Sequence, residues 1–129
     1  MKQFLLDTSA FLFWTSDGKK LTPRARKLIE DPNNEILLSA ISSWEIAIKY
    51  SLDKVVLPRP PGKFVPSEMA KHGIAGLAFE HSDALAVAAL PGHHDDPFDR
   101  ALIAQAIERD LPIITSDSQF DDYDVKVEW

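Results

Sequence analysis

Three short apolar runs constrain the fold of this chain more than any other feature: "KQFLL" at residues 2–6, "EILLS" at 35–39 and "LPIIT" at 111–115. Each is rich in leucine or isoleucine and lacks polar alternation, which predicts a strand covered on both faces. Helical signals separate them. "LTPRARKLIEDP" offers Thr22 as N-cap and Pro23 at the first helical position, with a stop before Pro32. "AISSWEIAIKYSL" places Ile41, Trp44, Ile48 and Leu52 at helical spacing. The proline-rich "LPRPPGKFVP" reads as a connection wrapping the surface, followed by a helix around Ser67 to His72. Beyond it, "GLAFE" is a candidate third strand and "SDALAVAAL" a helix with Ser82 as cap. "PFDRALIAQAIERD" is the clearest helix, and "VKVEW" a candidate last strand. Buried strands alternating with amphipathic helices predict an α/β sandwich around a mainly parallel sheet of four to five strands, one domain over residues 1–129.

The gross composition fits that class and removes others. With 45% hydrophobic and 26% charged residues the chain has enough apolar material for a core without staples. The absence of cysteine excludes a disulfide framework, a thiolate zinc site and a cysteine nucleophile. The start "MKQFLLDTSAFLFW" has the lysine and apolar run of a signal peptide, but Asp7 interrupts the run and no small-residue cleavage site follows. No apolar stretch approaches the roughly 20 residues of a membrane span, so the expectation is a cytoplasmic protein not embedded in membrane. The net charge of −6 is unevenly placed: residues 1–71 hold eleven basic and eight acidic residues, residues 72–129 three and twelve. That balance argues against a plain, sequence-independent nucleic-acid binder. It does not argue against an enzyme that gathers carboxylates around a hard cation, because the ion inverts the local field.

The carboxylates carry the functional question. Ligands of open α/β sheets bind outside the carboxyl ends of the strands. Asp7 directly follows "FLL", and Asp117 follows "IIT" after one serine. Each also suits a turn or a helix cap. Glu45 follows Trp44, and its plain explanation is an i,i+4 pair with Lys49. The densest cluster is "HHDDPFDR", residues 93–100. Asp96 before Pro97 is a strong N-cap, and Asp99 sits where an acid favours the helix dipole. Yet Asp99, Leu102, Ile103 and Ala106 share one face, the one that must cover the sheet, so Asp99 is expected to point into the crevice with Asp7 and Asp117. His93 and His94 are adjacent in a Gly/Pro-flanked loop and are the weakest candidates for ligands.

Taken in order, "LLDTSAFLFW", "SAISSWEIAIK", "HHDDPFDRALIAQA" and "IITSDSQFDDYDVKVEW" resemble PIN-domain ribonucleases, and among them the VapC-type toxins of bacterial toxin–antitoxin pairs. The likeness spans the chain from Met1 to Trp129. It implies a PIN-like three-layer sandwich with an acidic pocket for Mg2+ or Mn2+, built from Asp7, Glu45, Asp99 and Asp117. Asp96 matches an additional acid that could act in the outer shell. Thr8, Ser9, Thr115 and Ser116 match small hydroxyl positions near such a pocket, and Arg100 could hold RNA or brace the site. The chain departs from the pattern at Ser9, where histidine is frequent, and at Asp95, where a basic residue is usual.

The resemblance implies metal-assisted hydrolysis of RNA to 5′-phosphate and 3′-hydroxyl ends, an antitoxin partner and a homodimer. Phosphate contacts are expected from scattered cations, the densest group being Lys19, Lys20, Arg24, Arg26 and Lys27; residues 55–66, with exposed-looking aromatics and prolines, are a candidate contact surface. Three rivals stay open. A phosphohydrolase with Asp7 as nucleophile would want a second aspartate where Ser9 stands. A receiver-like domain would want a lysine after a late strand, where "SDSQF" follows. A non-catalytic binding module would use its acids only as caps.

Overall fold

The computed structural model describes residues 1–129. Five strands, β1 (Lys2–Leu6), β2 (Asn34–Ser39), β3 (Ala75–Leu77), β4 (Ile113–Ile114) and β5 (Val127–Glu128), form one sheet in the order β3-β2-β1-β4-β5. Every neighbouring pair is parallel, as the unalternating apolar runs predict. Six α-helices accompany them: α1 (Thr8–Thr15), α2 (Pro23–Glu30), α3 (Ala40–Ser51), α4 (Pro61–His72), α5 (His81–Ala86) and α6 (Pro97–Arg109). Short 3₁₀ turns cover Val87–Ala89 and Ser118–Asp122.

The register explains the layering. Leu5 pairs with Leu37 and Ile113, and Leu6 with Leu38 and Ile114. Because successive side chains point to opposite faces, the Leu5 row packs with Leu102, Ile103 and Ala106 of α6. The Leu6 row packs with Phe11 of α1, Ala25 and Ile29 of α2, and Phe64 and Val65 of α4. Truncating one such leucine costs about 2–5 kcal/mol, so these two rows decide the architecture. The sheet order reverses between β1 and β4, and Asp7 and Thr115 stand just beyond those two strand ends. A crevice at that position is where this class of sheet binds ligands. No helix is long and apolar enough to cross a membrane.

Several expectations need correction. The segment "TSAFLFWT" forms α1, a helix no periodicity announces because it is apolar nearly all round. The proline-rich connection is helical from Pro61 onward, with Pro66 inside the helix, so the helix around Ser67 to His72 is only its second half. Pro61 sits at a position that needs no N–H, and Phe64 and Val65 are buried, which offsets the hydrogen bond that Pro66 cannot donate. Residues 55–66 are therefore not an aromatic surface. Ser82 does not cap α5; Glu80 does, its backbone N–H donating to Asp83 Oδ2 at 2.8 Å. The third strand starts earlier and is shorter than "GLAFE". On α3 the stripe divides: Ile41 is buried, whereas Trp44, Ile48 and Leu52 are exposed. Trp44 rests edge-on against Phe98 of α6 with ring centroids 5.0 Å apart.

Candidate metal centre

Asp7 leaves β1 and becomes the N-cap of α1. Its Oδ1 accepts from the Ala10 N–H at 2.7 Å and its Oδ2 from the Thr115 hydroxyl at 2.5 Å. Both the cap reading and the crevice reading hold for one side chain. Asp7 is 5% exposed, and burial pushes its carboxyl up to about 6, with Asp117 and Glu45 adding repulsion and the two hydrogen bonds partly opposing the rise. Thr115 is tied further to the acid after it, since the Asp117 N–H donates to its Oγ1 at 3.0 Å. Asp117 itself caps the following 3₁₀ turn by accepting from the Gln119 N–H at 2.9 Å.

Glu45 belongs to the buried face of α3, opposite in character to the exposed Trp44 beside it. Its Oε1 lies 2.6 Å from the Thr8 hydroxyl, which is also 2.9 Å from Ser42 Oγ. A hydroxyl has one proton, and the carboxylate takes it; Ser42 then donates to Thr8. Oε2 is met by Lys49 Nζ at 2.5 Å. The i,i+4 pair is thus real, but its acid is buried in the crevice.

Asp96 caps α6, its Oδ1 accepting from the N–H groups of Phe98 at 2.8 Å and Asp99 at 3.1 Å. Asp99 is half-buried one turn into the helix. Burial, then repulsion from Asp96 and Glu45, raises its carboxyl to about 7, and His94 partly offsets the rise. His94, one of the two weakest ligand candidates by sequence, stands beside Asp99 and Asp117. Its Nδ1 accepts from the Asp96 N–H at 3.2 Å, and its Nε2 stands 3.0 Å from Asp99 Oδ2. That second contact is short but out of line for a hydrogen bond, and it leaves a solvent-shielded nitrogen without an aligned partner. His93 is exposed and packs against Tyr123 at 5.3 Å instead.

The donor set suits a divalent cation. One ligand atom each from His94, Asp99 and Asp117 lies within 4.8 Å of the other two. The neighbouring carboxylates of Asp7 and Glu45 add negative charge, and repulsion among the acids adds to burial in raising the carboxyls of Asp7 and Asp99. Carboxylate oxygens dominate, as hard cations require.

The remaining candidates separate cleanly. Thr8 and Thr115 hold the acids, while Ser9 and Ser116 are exposed. Arg100 braces the loop before α6 by donating to Pro91 O at 2.9 Å, with Tyr123 Oη at 3.4 Å. Of the cations of the α2 region, Arg24 pairs with Glu128, Arg26 with Gly18 O and Glu30, and Lys20 lies over the Phe13 ring. Sequence reasoning missed Ser42, though its place one turn before Glu45 puts it on the same helix face. It also missed His94, for which a loop offers no periodic signal.

Comparison with known proteins bears on the family and the fold. The PIN domain family model matches residues 4–126. Ribonuclease VapC16 of Mycobacterium tuberculosis is 44% identical over 57 residues, which are 44% of this chain and 40% of that protein. The match therefore spans about two-fifths of the length of that relative. Ribonuclease VapC22 of the same organism is 29% identical over 118 residues, covering 91% of this chain and 88% of that protein. Among solved structures, VapBC2 from Rickettsia felis bound to a promoter DNA fragment superposes with a TM-score of 0.74 at 15% identity, covering 98% of each chain. DNA-bound VapBC from Salmonella typhimurium gives 0.70 at 20% identity, covering 99% of this chain and 98% of that one. At such identities the structures speak for the fold, and the family model for kinship. The chain belongs to the PIN-domain family.

Proposed function

We propose that the protein is a divalent-metal-dependent endoribonuclease and the toxin of a type II toxin–antitoxin pair, with Asp7, Glu45, Asp99 and Asp117 as its metal-holding acids. The observation that carries the reading is that these acids, from four separate parts of the chain, act on one another beside the reversal of strand order, Asp7 with Asp117 and Glu45, and Asp99 with Glu45 and Asp117. Acids serving only as caps have no reason to meet. Mg2+ or Mn2+ is the cation such an oxygen-rich set takes. When bound, it supplies an acidified water and charge neutralisation for phosphodiester hydrolysis.

The chain's own residues prepare that chemistry. Thr115 and Ala10 hold the Asp7 carboxylate in place, and Thr8 holds Glu45. Asp96 starts α6 so that Asp99 enters the crevice, and its own carboxylate acts from the outer shell. Asp99, raised to about 7, is the acid best able to carry a proton near neutral pH and release it as a cation arrives. An Asp7 phospho-acceptor is disfavoured, since Ser9 stands where a phosphohydrolase of that kind carries its second aspartate.

RNA is the substrate on this reading, an antitoxin protein the inhibitor, and a second copy of the chain the assembly partner in the cytoplasm. The relatives support this: two carry the name ribonuclease, and the superposed structures are VapBC complexes. The test is cleavage of bacterial RNA with added Mg2+ or Mn2+. Asp7→Asn and Asp99→Asn are expected to abolish cleavage while keeping the circular dichroism of the fold. Full activity of either variant in EDTA-treated buffer overturns the proposal.

A further inference from the structure

A cation held by the crevice acids offsets charge only at the reacting phosphate, so contacts to the rest of the RNA backbone fall to basic side chains near the mouth. Five basic side chains are engaged away from the crevice acids. Arg100 spends its guanidinium on Pro91 O and Tyr123, and Arg109 is held by Asp83. Arg24, Arg26 and Lys20 have the partners given above, none of them an acid of the crevice. Lys49 differs from all of these. It rises from α3 one turn after Glu45 and places Nζ 2.5 Å from Glu45 Oε2. Its side chain is 42% exposed, whereas that of Glu45 is 4% exposed, so the ammonium stands where the buried acids meet solvent. Asp96 and Asp99, at the start of α6, also favour its charged form.

We infer that Lys49 is a substrate-contacting residue, whose ammonium rests on Glu45 and offers its remaining N–H donors to a phosphate oxygen of RNA entering the crevice. The inference rests on the ribonuclease reading above. An ammonium carries three donors, and Glu45 occupies one. The exposed position leaves the others directed at arriving substrate. A purely structural i,i+4 pair would have no need to sit against a buried acid of the crevice.

Binding of a fluorescein-labelled, random-sequence single-stranded RNA to the Asp7→Asn protein, with and without Lys49→Gln, tests this. Titrations across salt concentration should show Lys49→Gln weakening binding and shrinking the slope of log K against log salt by about 0.7, the loss of one phosphate contact. Lys49→Arg should restore the slope. In the otherwise wild-type protein, Lys49→Gln should slow cleavage of total bacterial RNA by about 10-fold or more, the loss of roughly one charged hydrogen bond. Mn2+ affinity, measured by calorimetry, should not weaken, because a cation competing for Glu45 has been removed. An unchanged salt slope overturns the inference, as does Mn2+ affinity falling in step with activity, which would make Lys49 a support of the metal site. Failure of the wild-type protein to bind Mn2+ in a carboxylate-dependent way overturns the ribonuclease reading itself.

Discussion

Asp7 is held by the Ala10 N–H and the Thr115 hydroxyl in a place where burial disfavours its charge. Its carboxyl titrates at about 6 in the folded protein, against 3.8 ordinarily. Between those values the native state binds the proton more tightly than the unfolded chain does. Stability therefore falls as pH rises through that window, and the loss persists above it. A rise of that size corresponds to roughly 3 kcal/mol. Asp99 works in the same direction up to about 7. Asp7→Asn keeps an oxygen for the α1 cap and removes the charge. Without metal it should be more stable than wild type in urea at pH 8, by up to about 3 kcal/mol, and show no gain at pH 4. A variant less stable than wild type at pH 8 would mean that the Thr115 hydrogen bond outweighs the buried charge. The sequence made Asp7, Asp99 and Asp117 legible because strand ends and a helix face can be read from apolar pattern. Lys49 was legible only as a surface partner, because nothing local says that Glu45 is buried. His94 depends on how a loop folds back over the start of α6.

Helices α5 and α6 show how an element can be pinned by a polar contact that pattern does not reveal. Asp83, fully buried, accepts from the Glu80 N–H, from Gln105 Nε2 at 3.2 Å, and from Arg109 Nε and Nη2 at 3.1 and 2.8 Å. Arg109 holds its carboxyl below the usual range, so this contribution to stability is present above about pH 4 and is lost as pH falls further. Asp83→Ala leaves Gln105 and a guanidinium without their acceptor and should cost about 3 kcal/mol in urea unfolding. A loss under about 1 kcal/mol would mean the pair behaves like an exposed one. The same limit on legibility appears in α4 and α5. Proline at 60, 61 and 66 signals a loop by local rules, and only the burial of Phe64 and Val65 in the core shows why the helix wins. Ser82 is the better cap by residue type, but Asp83 has two partners on α6 that fix the start of α5 earlier in the chain. By contrast α2 and α6 match their sequence signals, since Thr22-Pro23 and Asp96-Pro97 need no distant partner to begin a helix.

Across the whole molecule, the uneven charge has a single thermodynamic consequence. The acids of the crevice belong to segments far apart in sequence, so only the folded chain assembles them, and a cation that binds them binds the native state alone. Ligand linkage then adds RT ln(1 + [L]/Kd) to stability, about 2.7 kcal/mol at a hundredfold excess over Kd. The buried acids make that gain depend on pH. Below about 6 Asp7 and Asp99 hold their protons and compete with the metal; above about 7 both are ionised, and each is repelled by Glu45 and Asp117 until a cation arrives. Mn2+ should therefore raise the melting temperature more at pH 8 than at pH 5, reversing the metal-free trend in which the protein weakens with rising pH. Calorimetry at pH 7 in buffers of different ionisation enthalpy should show release of on the order of half a proton per ion bound, drawn mainly from Asp99. Asp99→Asn should remove both the proton release and most of the gain in melting temperature. An equal gain at pH 5 and pH 8, with no proton released, would place the ion outside this crevice.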